Sequence, residues 1–181
     1  MSSLRPVPAL SILAALLCAA CSQAPDSTPP TVKAVAPIED ATLEIADRAA
    51  LDDMLAAHRG NVVLVDYWST SCVPCVEKLP AVLALQKELR DRGLRVITLS
   101  MDDPDAAAEI QAFLRERGAA GRHLISKFGS SPKSLEEFEI DLIPHYRLYN
   151  RAGELVETFE PGPDAPPLEF SDIQAAVERL L

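Results

Sequence analysis

Val62-Val63-Leu64-Val65-Asp66-Tyr67-Trp68 is an apolar run broken by a single charge. A strand so uniformly apolar has no face left for water, so it belongs in the middle of a sheet covered on both sides. Cys72 and Cys75 follow, at the head of a segment whose Leu79, Val82, Leu83, Gln86 and Leu89 share one helical side. A buried strand that leads through a cysteine pair into a helix points to an α/β sheet.

The rest of the chain alternates in the same way. Ala41 to Ile45 reads as a short strand, and Leu51, Met54, Leu55 and His58 as a helix stopped by Gly60. Leu94 to Ser100 is a second buried strand. Asp103-Pro104 opens a helix that Ile110, Phe113, Leu114 and Arg117 carry to Gly118. Leu124-Ile125 reads as a short strand, and Ser131-Pro132 opens a short helix with Leu135 and Phe138. Pro144 to Tyr149 and Leu155 to Phe159 read as a hairpin turned at Asn150 to Gly153, which makes the sheet mixed. Ser171 and Gln174 have the spacing of a capping box for a last helix through Ile173, Val177 and Leu180.

The domain is expected from residue 38 to 181. Residues 1–20 read as a signal peptide: Arg5 precedes an apolar run from Leu10 to Ala20, shorter than the roughly 20 apolar residues of a membrane span. Cys18-Ala19-Ala20-Cys21 is similar to a bacterial lipoprotein cleavage site, which makes Cys21 the expected lipidated residue. It departs from the usual pattern in having Cys18 where leucine is common. Residues 21–37 carry Pro25, Pro29, Pro30 and Pro37 among small and polar residues, and read as an extended tether. The expected location is the extracytoplasmic side of a bacterial cell envelope. Lys+Arg number 17 against 27 Asp+Glu, for a net charge of −10. That acidic surplus argues against a nucleic-acid partner.

The cysteine pair carries the candidate chemistry. A cysteine at a helix N-terminus meets free backbone N–H groups and the helix dipole, both of which stabilise its thiolate. A second cysteine three positions on lies within reach for a disulfide. Zinc is disfavoured, because Cys72 and Cys75 have no second close pair among Cys21 and three scattered histidines. A purely structural bridge stays open at this level.

Asp66-Tyr67-Trp68, then Cys72-Val73-Pro74-Cys75, then Pro80, resemble the thioredoxin active-site segment. The likeness extends through Ile143-Pro144 and the strand to Phe159. The export signal, the tether and the extra strand and helix insertion near residues 101–141 resemble the membrane-tethered TlpA-like oxidoreductases. The resemblance implies a thioredoxin fold with a mixed central sheet flanked by helices. It also implies Cys72 as attacking thiol, Cys75 as resolving thiol and Asp66 as the buried acid that assists Cys75. Trp68, Pro74, Ile143 and Pro144 become the expected substrate-contacting residues, with Pro144 cis and the Ile143 backbone pairing with substrate. The implied activity is reduction of disulfides in extracytoplasmic proteins, with electrons from a membrane thiol-transfer protein. No cofactor beyond the Cys72–Cys75 disulfide and no metal are expected.

Pro74 resembles the reducing members, while a disulfide oxidase or isomerase is the alternative. A copper-binding module using the dithiol and His145 is a third reading. Lys78 stands where the group commonly has glutamate, with Glu77 beside it, and Ser71 stands where tryptophan is common. His58 and His123 are expected at the surface. Glu136, Glu137, Glu139 and Asp141 are expected on a solvated face.

Overall fold

The computed structural model describes residues 41–162 and 168–181. The expected signal peptide (residues 1–20), Cys21, the tether (residues 21–37) and Pro163, Pro166 and Pro167 lie outside the described residues.

Six strands form one sheet: β1 (Thr42–Ala46), β2 (Val62–Trp68), β3 (Leu94–Ser100), β4 (Arg122–Ser126), β5 (His145–Tyr149) and β6 (Leu155–Phe159), in the order β1-β4-β3-β2-β5-β6. The first four are parallel to one another, β5 pairs antiparallel with β2, and β6 pairs antiparallel with β5 and so runs in the direction of the first four. This is the expected mixed thioredoxin-type sheet. Among the described residues four α-helices connect strands, α1 (Arg48–Ala57), α2 (Val73–Leu89), α3 (Ala107–Glu116) and α4 (Pro132–Phe138), and α5 (Phe170–Leu180) follows β6.

Every residue of β2 is buried, as its composition requires. Strand alternation splits them between two cores. Val63, Val65 and Tyr67 join Leu51 and Met54 of α1 and Phe138 of α4. Val62 and Leu64 meet Val82, Leu85 and Leu89 of α2, and Ile173 and Val177 of α5. Trp68 meets Cys75, Leu79 and Leu83 of α2 with Ile110 and Leu114 of α3. Helices α2, α3 and α5 therefore cover the face that carries the even-numbered residues of β2.

The expected capping box at Ser171 is not formed. Helix α5 begins at Phe170 with Glu169 as its N-cap and no side-chain cap. Leu168 and Phe170 pack on the α2-side core, and that burial starts the helix earlier than the polar signal indicated. Helix α3 also differs slightly from expectation. Pro104–Ala106 form a 3₁₀ turn capped by the Asp103 carboxylate, and the α-helix starts only at Ala107.

Candidate active site

Cys72 is the N-cap of α2, with extended backbone (φ −87°, ψ 96°), and Pro74 occupies the second helical position. The Cys72 N–H donates to the Ser69 carbonyl at 3.2 Å, and the Cys72 carbonyl accepts from Val76 N–H at 3.0 Å. Proline suits this position because the first helical N–H groups have no intrahelical partner. Cys72 and Cys75 form a disulfide with Cα atoms 5.3 Å apart. Cys75 is buried at 1% exposure, whereas Cys72 is half-buried. Only the Cys72 sulfur is placed for attack from outside. Val73 and Pro74 between them are exposed, Val73 at 66%.

Asp66 lies under this helix. Its position between Leu64 and Trp68 puts its side chain on the α2 face. It is 1% exposed, and neither carboxyl oxygen has a hydrogen-bond partner among the described residues. Burial without compensation disfavours the charged form and pushes the Asp66 carboxyl up to about 8. Tyr146 on β5 and Thr98 on β3 are its register neighbours. The Tyr146 hydroxyl is likewise buried and unpartnered, and its acidity is suppressed by burial and by the Asp66 charge.

The polar row continues to β4. His123, expected at the surface, is fully buried, and its Nδ1 lies 2.9 Å from Thr98 Oγ1. Desolvation holds its ring down to about 4, so it is neutral at physiological pH. His58 is half-buried rather than fully exposed.

The Ile143–Pro144 peptide bond is cis, as the resemblance implied. Ile143 and Cys72 both pack at the edge of the apolar cluster that contains Trp68 and Cys75. Beside them opens a groove of about 490 Å³ lined by Ser69, Ser71, Met101, Ser131, Leu142 and Ile143. Asp141 also lines it.

Trp68 departs from its expected role. It is fully buried and offers a substrate no surface. Its ring stacks on Phe113 of α3 at 5.5 Å and 20°, and the Arg117 guanidinium lies over the Phe113 ring at 3.3 Å. Trp68 is therefore the packed floor of the site, held by a helix of the expected insertion. Phe113 was legible in the sequence only as an apolar position of that helix.

His145 does not join the dithiol. It lies edge-on to Tyr67, on the sheet face opposite Cys75, with Nδ1 2.9 Å from Glu160 Oε2. Burial holds its ring below the usual imidazole range. The copper reading built on His145 loses its third ligand, and no group of three metal-binding side chains occurs among the described residues. The acidic stretch near α4 is mostly exposed, with Glu139 paired to Arg48 at 2.8 Å and Glu137 accepting from the Arg48 N–H at 3.0 Å.

The family model for Redoxin matches residues 11–177. The chain belongs to the Redoxin family. A thiol-disulfide oxidoreductase ResA from Bacillus thuringiensis is 25% identical over 99 residues, 55% of this chain and 54% of the relative. The chain thus spans about half the length of the curated relatives it matches. A 43-residue stretch, 24% of this chain, is 42% identical to 6% of protein DipZ from Mycobacterium bovis. Among solved structures, the thioredoxin domain of a thiol-disulfide oxidoreductase from Bacteroides vulgatus superposes with a TM-score of 0.53 at 24% identity, covering 69% of this chain and 82% of that one. A thiol:disulfide interchange protein from Chlorobium tepidum gives 0.52 at 17% identity, with 69% and 83% covered. These likenesses bear out the thioredoxin fold. No helix among the described residues is long and apolar enough to cross a membrane.

Proposed function

We propose that this Redoxin family member is an extracytoplasmic thiol-disulfide oxidoreductase that reduces protein disulfides through Cys72 and Cys75. The observation that carries this reading is the asymmetry of the pair: an accessible sulfur at a helix N-cap, a buried one behind it and an unpaired carboxyl beneath. In the reduced protein the Cys72 thiolate attacks a substrate sulfur and forms a mixed disulfide, releasing the other substrate sulfur as a thiolate. Asp66, in its ionised form, takes the Cys75 proton. The Cys75 thiolate then attacks the Cys72 sulfur. Two electrons pass to the substrate, the Cys72–Cys75 disulfide forms, and the second substrate sulfur leaves as a thiolate that takes up a proton. A carboxyl held at about 8 suits this exchange, because an ordinary thiol ionises near 8.5 and neither direction of transfer is steeply uphill.

The Ile143 backbone beside cis-Pro144 and the exposed Val73-Pro74 pair supply a docking edge for the substrate chain. Re-reduction calls for a membrane thiol-transfer protein, and a lipid on Cys21 would hold the domain near it. The test uses the full-length protein and insulin as the disulfide substrate. Cys72→Ser should abolish reduction, and Cys75→Ser should accumulate a covalent mixed disulfide at Cys72. Retained reduction by Cys72→Ser overturns the reading. The dithiol potential sets the direction: about −270 mV marks a reductant, and about −120 mV an oxidant.

A further inference from the structure

The loop that presents Cys72 is held from outside by one side chain. Asp102 stands just past β3 and is 8% exposed. One oxygen, Oδ2, accepts from the Thr70 N–H at 2.9 Å and from Ser100 Oγ at 2.6 Å. The other, Oδ1, accepts from Thr70 Oγ1 at 2.6 Å, with the Thr70 N–H also 3.1 Å away. The Asp102 N–H donates back to Ser100 Oγ at 3.0 Å, and the neighbouring Met101 N–H donates to the Trp68 carbonyl at 2.7 Å. Thr70 itself is exposed, so a solvated loop residue is tied by a buried carboxylate. The same short loop contains the Ser69 carbonyl that accepts from Cys72 N–H, and Ser69 and Ser71 pair through their hydroxyls at 3.0 Å.

We propose that Asp102 is a positioning residue for Cys72: its carboxylate clamps Thr70 to the end of β3 and so fixes where the attacking sulfur stands at the head of α2. Hydrogen bonds to an ionised acceptor are stronger than neutral ones, and three donors on one carboxylate leave the loop little freedom. The clamp also ties a negative charge to Thr70, two positions before Cys72 in the chain, where it opposes the thiolate that the helix N-terminus favours. Asp102 therefore does two opposing things, ordering the loop while restraining ionisation of the thiol. The other charged groups of the region stand elsewhere: Asp66 on the α2 face of β2, Glu77 and Lys78 on α2, Asp141 in the lining of the groove, and Asp103 and Asp105 in the following turn.

The proposal rests on the reading of Cys72 as attacking thiol, and its test separates the two. In Asp102→Asn the volume stays and the charge goes. Alkylation of Cys72 by iodoacetamide, which needs only the thiolate, should shift its pH midpoint downward. Insulin reduction, which also needs the sulfur in place, should slow about tenfold, the equivalent of one charged hydrogen bond. Amide hydrogen exchange at Thr70 should speed up by at least as much. Thr70→Val removes one donor without touching the charge; it should slow insulin reduction and leave the alkylation midpoint unmoved, and Thr70→Ser should restore the rate. An Asp102→Asn protein with an unchanged midpoint and an unchanged Thr70 exchange rate overturns the proposal. Wild-type protein inert toward insulin would instead sink the oxidoreductase reading, while the alkylation and exchange measurements would still report on the clamp.

Discussion

Replacing Asp66 by asparagine should stabilise the oxidised protein, and the gain should grow with pH. The folded carboxyl is pushed up to about 8 by burial from an ordinary value of 3.8. Below that ordinary value both states hold the proton and the folded state suffers no penalty. As pH rises above it, the unfolded chain releases a proton that the folded protein keeps, so stability falls. The fall continues until pH reaches the folded value. Each pH unit corresponds to about 1.4 kcal/mol, so the penalty is about 1 kcal/mol at pH 4.5 and about 5 kcal/mol at pH 7.5. Asparagine has nearly the same shape, lacks the charge and meets the same unpartnered surroundings. Urea unfolding of both proteins at the two pH values isolates the effect, because every other titrating group cancels in the difference. The variant should gain about 4 kcal/mol more at pH 7.5 than at pH 4.5. An equal gain at both values, or none, would show that Asp66 is not a buried carboxyl titrating near neutrality, and its role as proton acceptor would go with it. The same variant should slow release of insulin from the mixed disulfide, since it removes the proposed acceptor of the Cys75 proton.

Two further outcomes follow from the neighbouring side chains. His123 carries the opposite pH sign to Asp66: its ring is held down to about 4, so the folded state keeps it neutral. That contribution is complete above the unfolded imidazole value near 6.5 and is lost as pH falls from there toward 4. Relative to His123→Gln, the wild-type protein should lose about 3 kcal/mol between pH 7 and pH 4, read by urea unfolding; parallel curves would refute the buried neutral ring. Phe113→Ala should destabilise by about 2 kcal/mol, below the range for fully buried phenylalanine because the ring is only half-buried. It should also raise the fluorescence response of Trp68 to added quencher, and an unchanged response would mean that the stack does not shield the indole.

The parts of the site that lie close together in sequence were legible there. The buried strand, the cysteine pair and the helix after it form one continuous segment, and the structure reproduces β2 at Val62–Trp68 and the N-cap at Cys72. The residues that were misplaced depend on which face of a strand they occupy. Only Leu124-Ile125 carry a strand signal around His123, and two residues do not set the parity that would bury it. The strand runs from Arg122 to Ser126 and pairs on both sides, so His123 and Ile125 share one face and Leu124 takes the other. Trp68 failed as a contact residue for a related reason. Its own strand gives it the α2 face, but its burial is completed by Phe113, which lies 45 positions later in a different helix.

Asp102 shows why the cysteine pair alone could not reveal the whole site. In sequence it is one of two adjacent aspartates before Pro104, and the helix-start signal belongs to Asp103, whose carboxylate accepts from the Asp105 N–H at 3.0 Å. Nothing local distinguishes the role of Asp102. Its partner Thr70 is 32 residues away, and the two meet because β2 and β3 are parallel neighbours in register from Val62↔Leu94 to Trp68↔Ser100. Parallel pairing puts the C-terminal ends of both strands at the same edge of the sheet. The loop after β2 leads to Cys72, the proposed attacking thiol, and the chain that follows β3 emerges beside that loop. In a doubly covered parallel sheet that edge is where backbone leaves the ladder and polar groups must find other partners. The carboxylate satisfies an N–H and two hydroxyls there, and in doing so it couples the ordering of the Cys72 loop to the rigid centre of the sheet.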